Sequence, residues 1–372
     1  MIFKNGLVLD KSFRFVKTDV EIKDGKITHI GACEGTDVID ISGKYLIPGL
    51  VDIHTHGCAG ADACDATMEA MDIMSETQGK AGITSFCATS MTVPEEQIAA
   101  IMSTVKKYRE GPQKRAHIIG INMEGPFFAE SKKGAQRADC LRNPDASFFR
   151  RMNELSGGVI KLCDMAPELP GSIEFIKEVQ EEVVISIGHT AANYEQAMDA
   201  IENGASHVTH LYNAMNGLTH RSPGVIGAAS DTNVYAELIC DGIHIMGSAI
   251  RAAFKLMDDR ICLISDSMSA CGMPNGEYEL GGQKVIMKDK KATLEDGTIA
   301  GSATNLADCM RKAVEFGIEL PVAVKAASYN PAASIHMENQ IGSIAVGLDA
   351  DLIVMDKNLN FEKIFIKGVE QD

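Results

Sequence analysis

His54 and His56 stand one residue apart in "VDIHTHG" (Val51 to Gly57), directly behind "LIPGL" (Leu46 to Leu50), in a chain with only ten histidines. A strand repeats its side-chain direction every second residue, so the two imidazoles project to one side and can reach a single small ion. A polar strand end would look the same, and His-x-His alone does not choose. Further candidates close other apolar runs: Glu124 in "INMEGP", His189 in "SIGHT", His210 in "VTHLYNAM", His244 in "CDGIH" and Asp266 in "LISDS". A Glu, several His and a second carboxylate supply the N and O ligands that Zn²⁺ takes, with a position left for water. Such an ion lowers the pKa of bound water from about 15.7 to about 7, which makes hydrolysis its natural use. A serine or cysteine nucleophile has less support, because there is no G-x-S-x-G elbow and no Cys in a comparable place.

Other residues of the same types read differently. His207 lies three residues before His210, which on a strand turns it to the opposite side, packed behind the sheet. His29, His117, His220 and His336 default to structural or surface roles. Lys161 sits well before the end of its run and reads as structural, since Glu124 can do any bridging that a carboxylated lysine would. The ten cysteines include no C-x-x-C pair, and Cys87, Cys163, Cys240 and Cys262 lie in apolar runs, where a thiol behaves as a small hydrophobe. We take them as reduced. Cys58 and Cys64 follow the His pair, but their spacing matches no standard zinc site.

Positioning these groups requires a repeated element. Eight short apolar runs alternate with amphipathic stretches: Leu46–His56, Ile83–Ser90, His117–Gly125, Val159–Pro167, Val183–Thr190, His207–Ala214, Tyr235–His244 and Ile261–Ser267. The stretches between them read as helices, such as Pro94 to Glu110, with Pro at the start and acidic residues in the first turn, and Asn193 to Gly204, with an Asn cap and a Gly stop. Parallel strands joined by helices predict a (β/α)8 TIM-like barrel, whose active sites lie at the carboxyl ends of the strands. The polar residues above obey that rule. An open doubly wound sheet would want an early G-x-G-x-x-G, which is absent. Both chain ends are short and alternating, with an Asp24-Gly25 hairpin signal, and predict a small β-sandwich domain from 1–48 plus 337–372 around a catalytic barrel at 49–336. Gly276 to Ser302 interrupts the last unit and reads as a hairpin that forms a lid or substrate wall.

Composition narrows the partners. With 45% apolar residues and 35 Lys plus Arg against 51 Asp plus Glu, a formal charge of -16, the chain reads as a soluble globular protein that repels nucleic acid and anionic membranes. A small anionic substrate is still compatible, held by local Arg, His and backbone N–H groups. No leader-like or membrane-spanning run is recognised, so the expected location is cytoplasmic.

Taken in order, "PGLVDIHTHG", "MEGPF", "KKGAQ", "IGHT", "THLYNAM", "DGIH", "ISDSM", "AGS", "NPA" and "GSIAVGLDADLIV" resemble the N-acetylglucosamine-6-phosphate deacetylases of the amidohydrolase superfamily. The resemblance runs through nearly the whole chain. It implies that Glu124, His189 and His210 hold the catalytic metal, that the pair His54 and His56 forms a second metal site, and that Asp266, counted among the metal ligands, acts as base and then acid. It further implies substrate contacts from Ala135, Gln136, Asn213, Ala214, Arg221, His244 and the segment Ile299, Ala300, Gly301 and Ser302. The acetamide carbonyl would be polarised by the metal or by His244. The expected cofactor is one or two divalent ions per subunit, zinc first, with iron, cobalt or manganese as alternatives. The expected partner is a phosphorylated amino sugar, and the expected assembly a homodimer in which Arg221 and His244 reach a phosphate across the subunit boundary. The competing activity is another amide hydrolysis of the superfamily, on a D-amino-acid amide or a cyclic amide.

Overall fold

The computed structural model describes residues 1–113 and 115–372. Among them, eight parallel strands follow one another around a single sheet in chain order: β1 (Leu50–Thr55), β2 (Ile83–Thr89), β3 (His117–Phe127), β4 (Ile160–Met165), β5 (Val184–Ile187), β6 (His207–Val208), β7 (Tyr235–Ile239) and β8 (Ile261–Ile264). The ring closes between its first and last members. Thr55 bridges Ser267 in parallel, the Asp266 N–H donates to the His54 carbonyl at 2.9 Å, and the His56 N–H donates to the Ser267 carbonyl at 2.8 Å. Closure leaves the sheet no open edge and aims all carboxyl ends at one mouth. This is the (β/α)8 barrel that the alternating runs predicted.

β1 and β2 are buried along their whole length, as expected of barrel strands covered on both faces, which read as continuous apolar runs. The helices bury one stripe each. Glu95–Glu110 turns Ile98, Ile101, Met102, Val105 and Tyr108 inward, with acidic residues in its first turn and Lys107 and Arg109 in its last. Tyr194–Glu202 starts on a reciprocal capping box between Asn193 and Gln196. Away from the mouth the barrel is packed with Val51, Ile119, Leu162, Val184 and Cys262, and Ala332 and Ile335 join that cluster.

The chain ends pair with one another, which explains their shared alternation. Tyr45–Pro48 runs antiparallel to Leu352–Met355, with Ile47 opposite Ile353. That pair is the centre of a six-stranded sheet facing a four-stranded one built from N-terminal strands alone. Phe3, Val20, Ile22, Ile27, Leu352, Val354 and Phe365 form a common core, in which Phe3 and Phe365 meet edge to face at 5.0 Å. At the hairpin, Lys23 pairs with Lys26 while Asp24 and Gly25 take φ of 51° and 76°, the left-handed pair that a two-residue turn needs. The 276–302 insertion is more than a hairpin. Gly276–Leu280, Gln283–Lys288 and Lys291–Thr293 make a three-stranded antiparallel sheet beside the barrel mouth.

Candidate metal centre and active site

The ends of β1, β3 and the chain beyond β5, β6 and β8 bring six side chains together. Their ligand atoms fall into two groups, Glu124 with His189 and His210, and His54 with His56 and Asp266, each within 4.8 Å and each buried. Glu124 lies between the groups. Its Oε1 is 3.1 Å from His189 Nε2 and 3.3 Å from His210 Nε2, while its Oε2 is 3.4 Å from His56 Nε2. Asp266 Oδ1 lies 3.3 Å from His56 Nε2 and 3.6 Å from His54 Nε2.

The protons on these rings are set from outside. His189 Nδ1 lies 2.9 Å from the Lys132 carbonyl and His56 Nδ1 3.3 Å from the Thr89 carbonyl. A carbonyl only accepts, so each Nδ1 carries the proton and each Nε2 presents a lone pair inward. His189 Nε2 then faces His210 Nε2 at 3.1 Å and a carboxylate oxygen at the same distance. His54 Nε2 is wholly buried without a hydrogen-bond partner. Converging buried lone pairs are satisfied by a cation, and this N/O set fits a divalent metal.

Electrostatics agree with the geometry. Burial alone would raise the carboxyl of Glu124, but the imidazoles of His189, His210 and His54 packed against it hold it well below the usual range. Burial likewise opposes ionisation of Asp266, and His54 and His56 overcome it, so its pKa is lowered. Three of the six residues occupy left-handed backbone, with φ of 48° at His189, 28° at His210 and 47° at Asp266. Non-glycine residues held there cost about 1–3 kcal/mol each and persist where the surroundings over-determine them. At Asp266 the surroundings are the β1 pairing already described and the Ser302 N–H, which donates to its carbonyl at 2.7 Å.

A cavity of about 410 Å³ ends on this centre, lined by Ala135, Gln136, Asn213, Ala214, His244, Ile299 and Gly301 among others. His244 is fixed by Asp241, whose Oδ2 accepts from Nδ1 at 2.8 Å while its Oδ1 accepts the Ile243 and His244 N–H groups. Burial would lower the imidazole's pKa, but Asp241 raises it above the ordinary value. The 276–302 sheet supplies Leu280, and the chain after it Thr298, so the insertion is a wall of the site.

Residues 45–370 match the amidohydrolase family. The chain belongs to the amidohydrolase family. It is 37% identical over 366 residues to the N-acetylglucosamine-6-phosphate deacetylase of Lysinibacillus sphaericus, covering 96% of this chain and 94% of that one. It is 31% identical to the N-acetylgalactosamine-6-phosphate deacetylase of Escherichia coli O157:H7, covering 94% and 93%. The crystal structure of N-acetylglucosamine-6-phosphate deacetylase from Pasteurella multocida superimposes with a TM-score of 0.93 at 29% identity, over 100% of this chain and 99% of that one.

Within this amidohydrolase, one histidine stands elsewhere than its spacing implied. His207 is not behind the barrel. Its Nδ1 is 2.9 Å from Ser186 Oγ, which also meets Thr209 Oγ1 at 2.6 Å, and it feels the charges of Glu237 and His54. It therefore faces the interior, and burial drives its pKa down to about 4. The parity argument failed because β6 stops at Val208 and His210 already lies in a left-handed turn. Arg221 is exposed and does not line the cavity, and neither do Ala300 and Ser302. Ser302 instead holds the strand end, its Oγ–H donating to the Ser265 carbonyl at 2.5 Å. Lys161 packs its stem over Gly120 in β3. Burial pushes the thiols of Cys58 and Cys64 upward, and neither belongs to the two ligand groups.

Other polar residues pack around the centre. Asp52 accepts the Ser265 Oγ–H at 2.5 Å, tying β1 to β8, and burial lifts its carboxyl to about 7. Asp164 on β4 is wholly buried and burial raises it well above the usual range. Gln136 has its side chain fully engaged: Oε1 accepts the Thr92 N–H at 2.7 Å, and Nε2 donates to Glu124 Oε2 at 2.6 Å. It steadies the Glu124 carboxylate. Gln136→Ala is expected to weaken metal binding about 10–100-fold, the usual effect of losing such a partner, as read by titration of the metal-free protein with Zn²⁺.

Proposed function

We propose that this amidohydrolase hydrolyses the acetamide of N-acetyl-D-glucosamine 6-phosphate, giving D-glucosamine 6-phosphate and acetate. The observation that carries the reading is the cavity that ends on the Asp266 carboxylate and both ligand groups. The names of the relatives support an amino-sugar phosphate over the D-amino-acid or cyclic amides. A divalent ion held by Glu124, His189 and His210, with a second at His54, His56 and Asp266, would supply Lewis acidity and lower the pKa of the attacking water. Asp266 Oδ1 is engaged by His54 and His56, which leaves Oδ2 to take a proton from water and return it to the departing nitrogen. His244, oriented by Asp241, donates from Nε2 to the acetamide oxygen. Ala135, Asn213, Ala214 and Ile299 form the sugar's walls.

Zinc suits these N and O ligands, with iron, cobalt and manganese as alternatives. We place the chain in the cytoplasm. The ten cysteines carry no disulfide, and among the described residues no helix is long and apolar enough to cross a membrane. We take 1–48 plus 337–372 as one domain and 49–336 as the catalytic one. Arg221 is exposed and does not line its own chain's cavity, which suits a homodimer in which it meets the phosphate in the neighbouring subunit.

Acetate release from four substrates tests the reading: the 6-phosphates of N-acetylglucosamine and N-acetylgalactosamine, unphosphorylated N-acetylglucosamine, and an N-acetyl-D-amino acid. The gluco phosphate is expected to be fastest, and faster turnover of the amino acid would replace the proposal. Arg221→Ala should raise KM for the phosphorylated sugar about 10–100-fold, the loss of one or two kcal/mol-scale bonds to a charged group, and leave the unphosphorylated sugar nearly unchanged.

A further inference from the structure

Glu237, on β7, is a buried carboxylate that the proposed reaction does not use, and no motif marks it. It reaches across the barrel to the first strand. Its Oε2 lies 2.9 Å from His54 Nδ1 and also accepts the backbone N–H of His210 at 3.0 Å. Its Oε1 is buried with no hydrogen-bond partner. One oxygen atom thus holds a ligand of each group. It fixes the His54 proton on Nδ1, which aims Nε2 at Asp266 and Glu124, and it pins the left-handed turn that presents His210. Glu124 spans the same two groups from the opposite side, through Oε1 and Oε2.

We propose that Glu237 is the positioning residue that makes the His54–His56–Asp266 group a loadable second metal site. A carboxylate on the far nitrogen of a metal-bound histidine fixes the ring and raises its basicity, and losing such a partner typically weakens metal binding about 10–100-fold. The inference rests on the metal reading of the site and not on which substrate is hydrolysed. Glu237→Gln is the sharp variant, because the amide oxygen can still accept from both His54 and His210 while the charge is gone.

The test measures zinc bound per chain, by elemental analysis and by calorimetric titration of the chelator-stripped full-length protein, for the unaltered chain, Glu237→Gln, and a control carrying His54→Gln with His56→Asn. The unaltered chain is expected to take up two ions. Glu237→Gln should keep one at near-unaltered affinity and bind the other about 10–100-fold more weakly, as the His control loses one outright. Equal uptake and affinity in Glu237→Gln and the unaltered chain would overturn the proposal, and so would a single ion in the unaltered chain. Loss of both ions from Glu237→Gln together with its thermal unfolding transition would overturn it too, by showing a purely structural role. Acetate release by the one-metal His control reports separately on the proposed activity, so failure of one reading is distinguishable from failure of the other.

Discussion

Asp266→Asn is expected to lower acetate release by about 10²–10⁴-fold, the contribution typical of a positioned general acid or base. The argument is geometric. Asp266 sits at the cavity floor, buried beside His54 and His56, and those neighbours keep it ionised against a burial that would favour the neutral acid. An amide at the same place keeps the size and one acceptor oxygen but cannot take a proton from water. It also weakens a ligand of the second group, so zinc content should fall by up to one ion per chain while Glu124, His189 and His210 retain theirs. The two losses separate in the measurement: excess zinc restores the metal content but not the rate. Undiminished turnover in zinc-saturated Asp266→Asn would remove the residue from the acid and base roles. Recovery of the rate on adding zinc would make it a metal ligand alone.

The residues that gather at the barrel mouth were visible in the sequence because two simple periodicities act together. Side chains alternate along a strand, and parallel strands in a closed ring all end at one rim. Glu124 at the end of an apolar run is therefore read correctly as facing the site. Where the strand gives way to a turn, the logic fails. β6 is only His207–Val208, and the residues after it, His210, Tyr212 and Ala214, have positive φ, so counting by twos put His207 on the wrong side. Gln136 was placed near the sugar by its motif, but which atoms its amide meets depends on Thr92 and Glu124, from two other strand ends.

Glu237 and Asp52 were not visible at all, for a related reason. Each lies in an apolar run, where a carboxylate looks like an interruption of the pattern, and its partner is about two hundred residues away: His54 for Glu237 and Ser265 for Asp52. A buried charge of this kind is stable only with partners that a linear pattern cannot pair. The one available signal is the interruption itself. "YAELI" puts an acid in the middle of a strand otherwise fit for the barrel interior, and such a residue is retained where something inside needs its charge.

That charge also decides what happens when the metal is withdrawn. Glu124, Asp266 and Glu237 are all buried around one centre, and cations offset the mutual repulsion of such carboxylates. Chelation should therefore abolish turnover and also lower stability. Binding at a free zinc concentration about a thousand times Kd contributes about 4.1 kcal/mol per site, and that contribution disappears with the ion. The thermal midpoint should fall on chelation, rise as zinc is returned, and depend on zinc concentration, with turnover recovering in parallel. Glu124→Gln should behave as the chelated protein does even in excess zinc, because Glu124 presents a carboxylate oxygen to each group of ligands. A midpoint indifferent to chelator, with turnover intact, would mean that these buried carboxylates are balanced within the protein and that the centre acts without an ion.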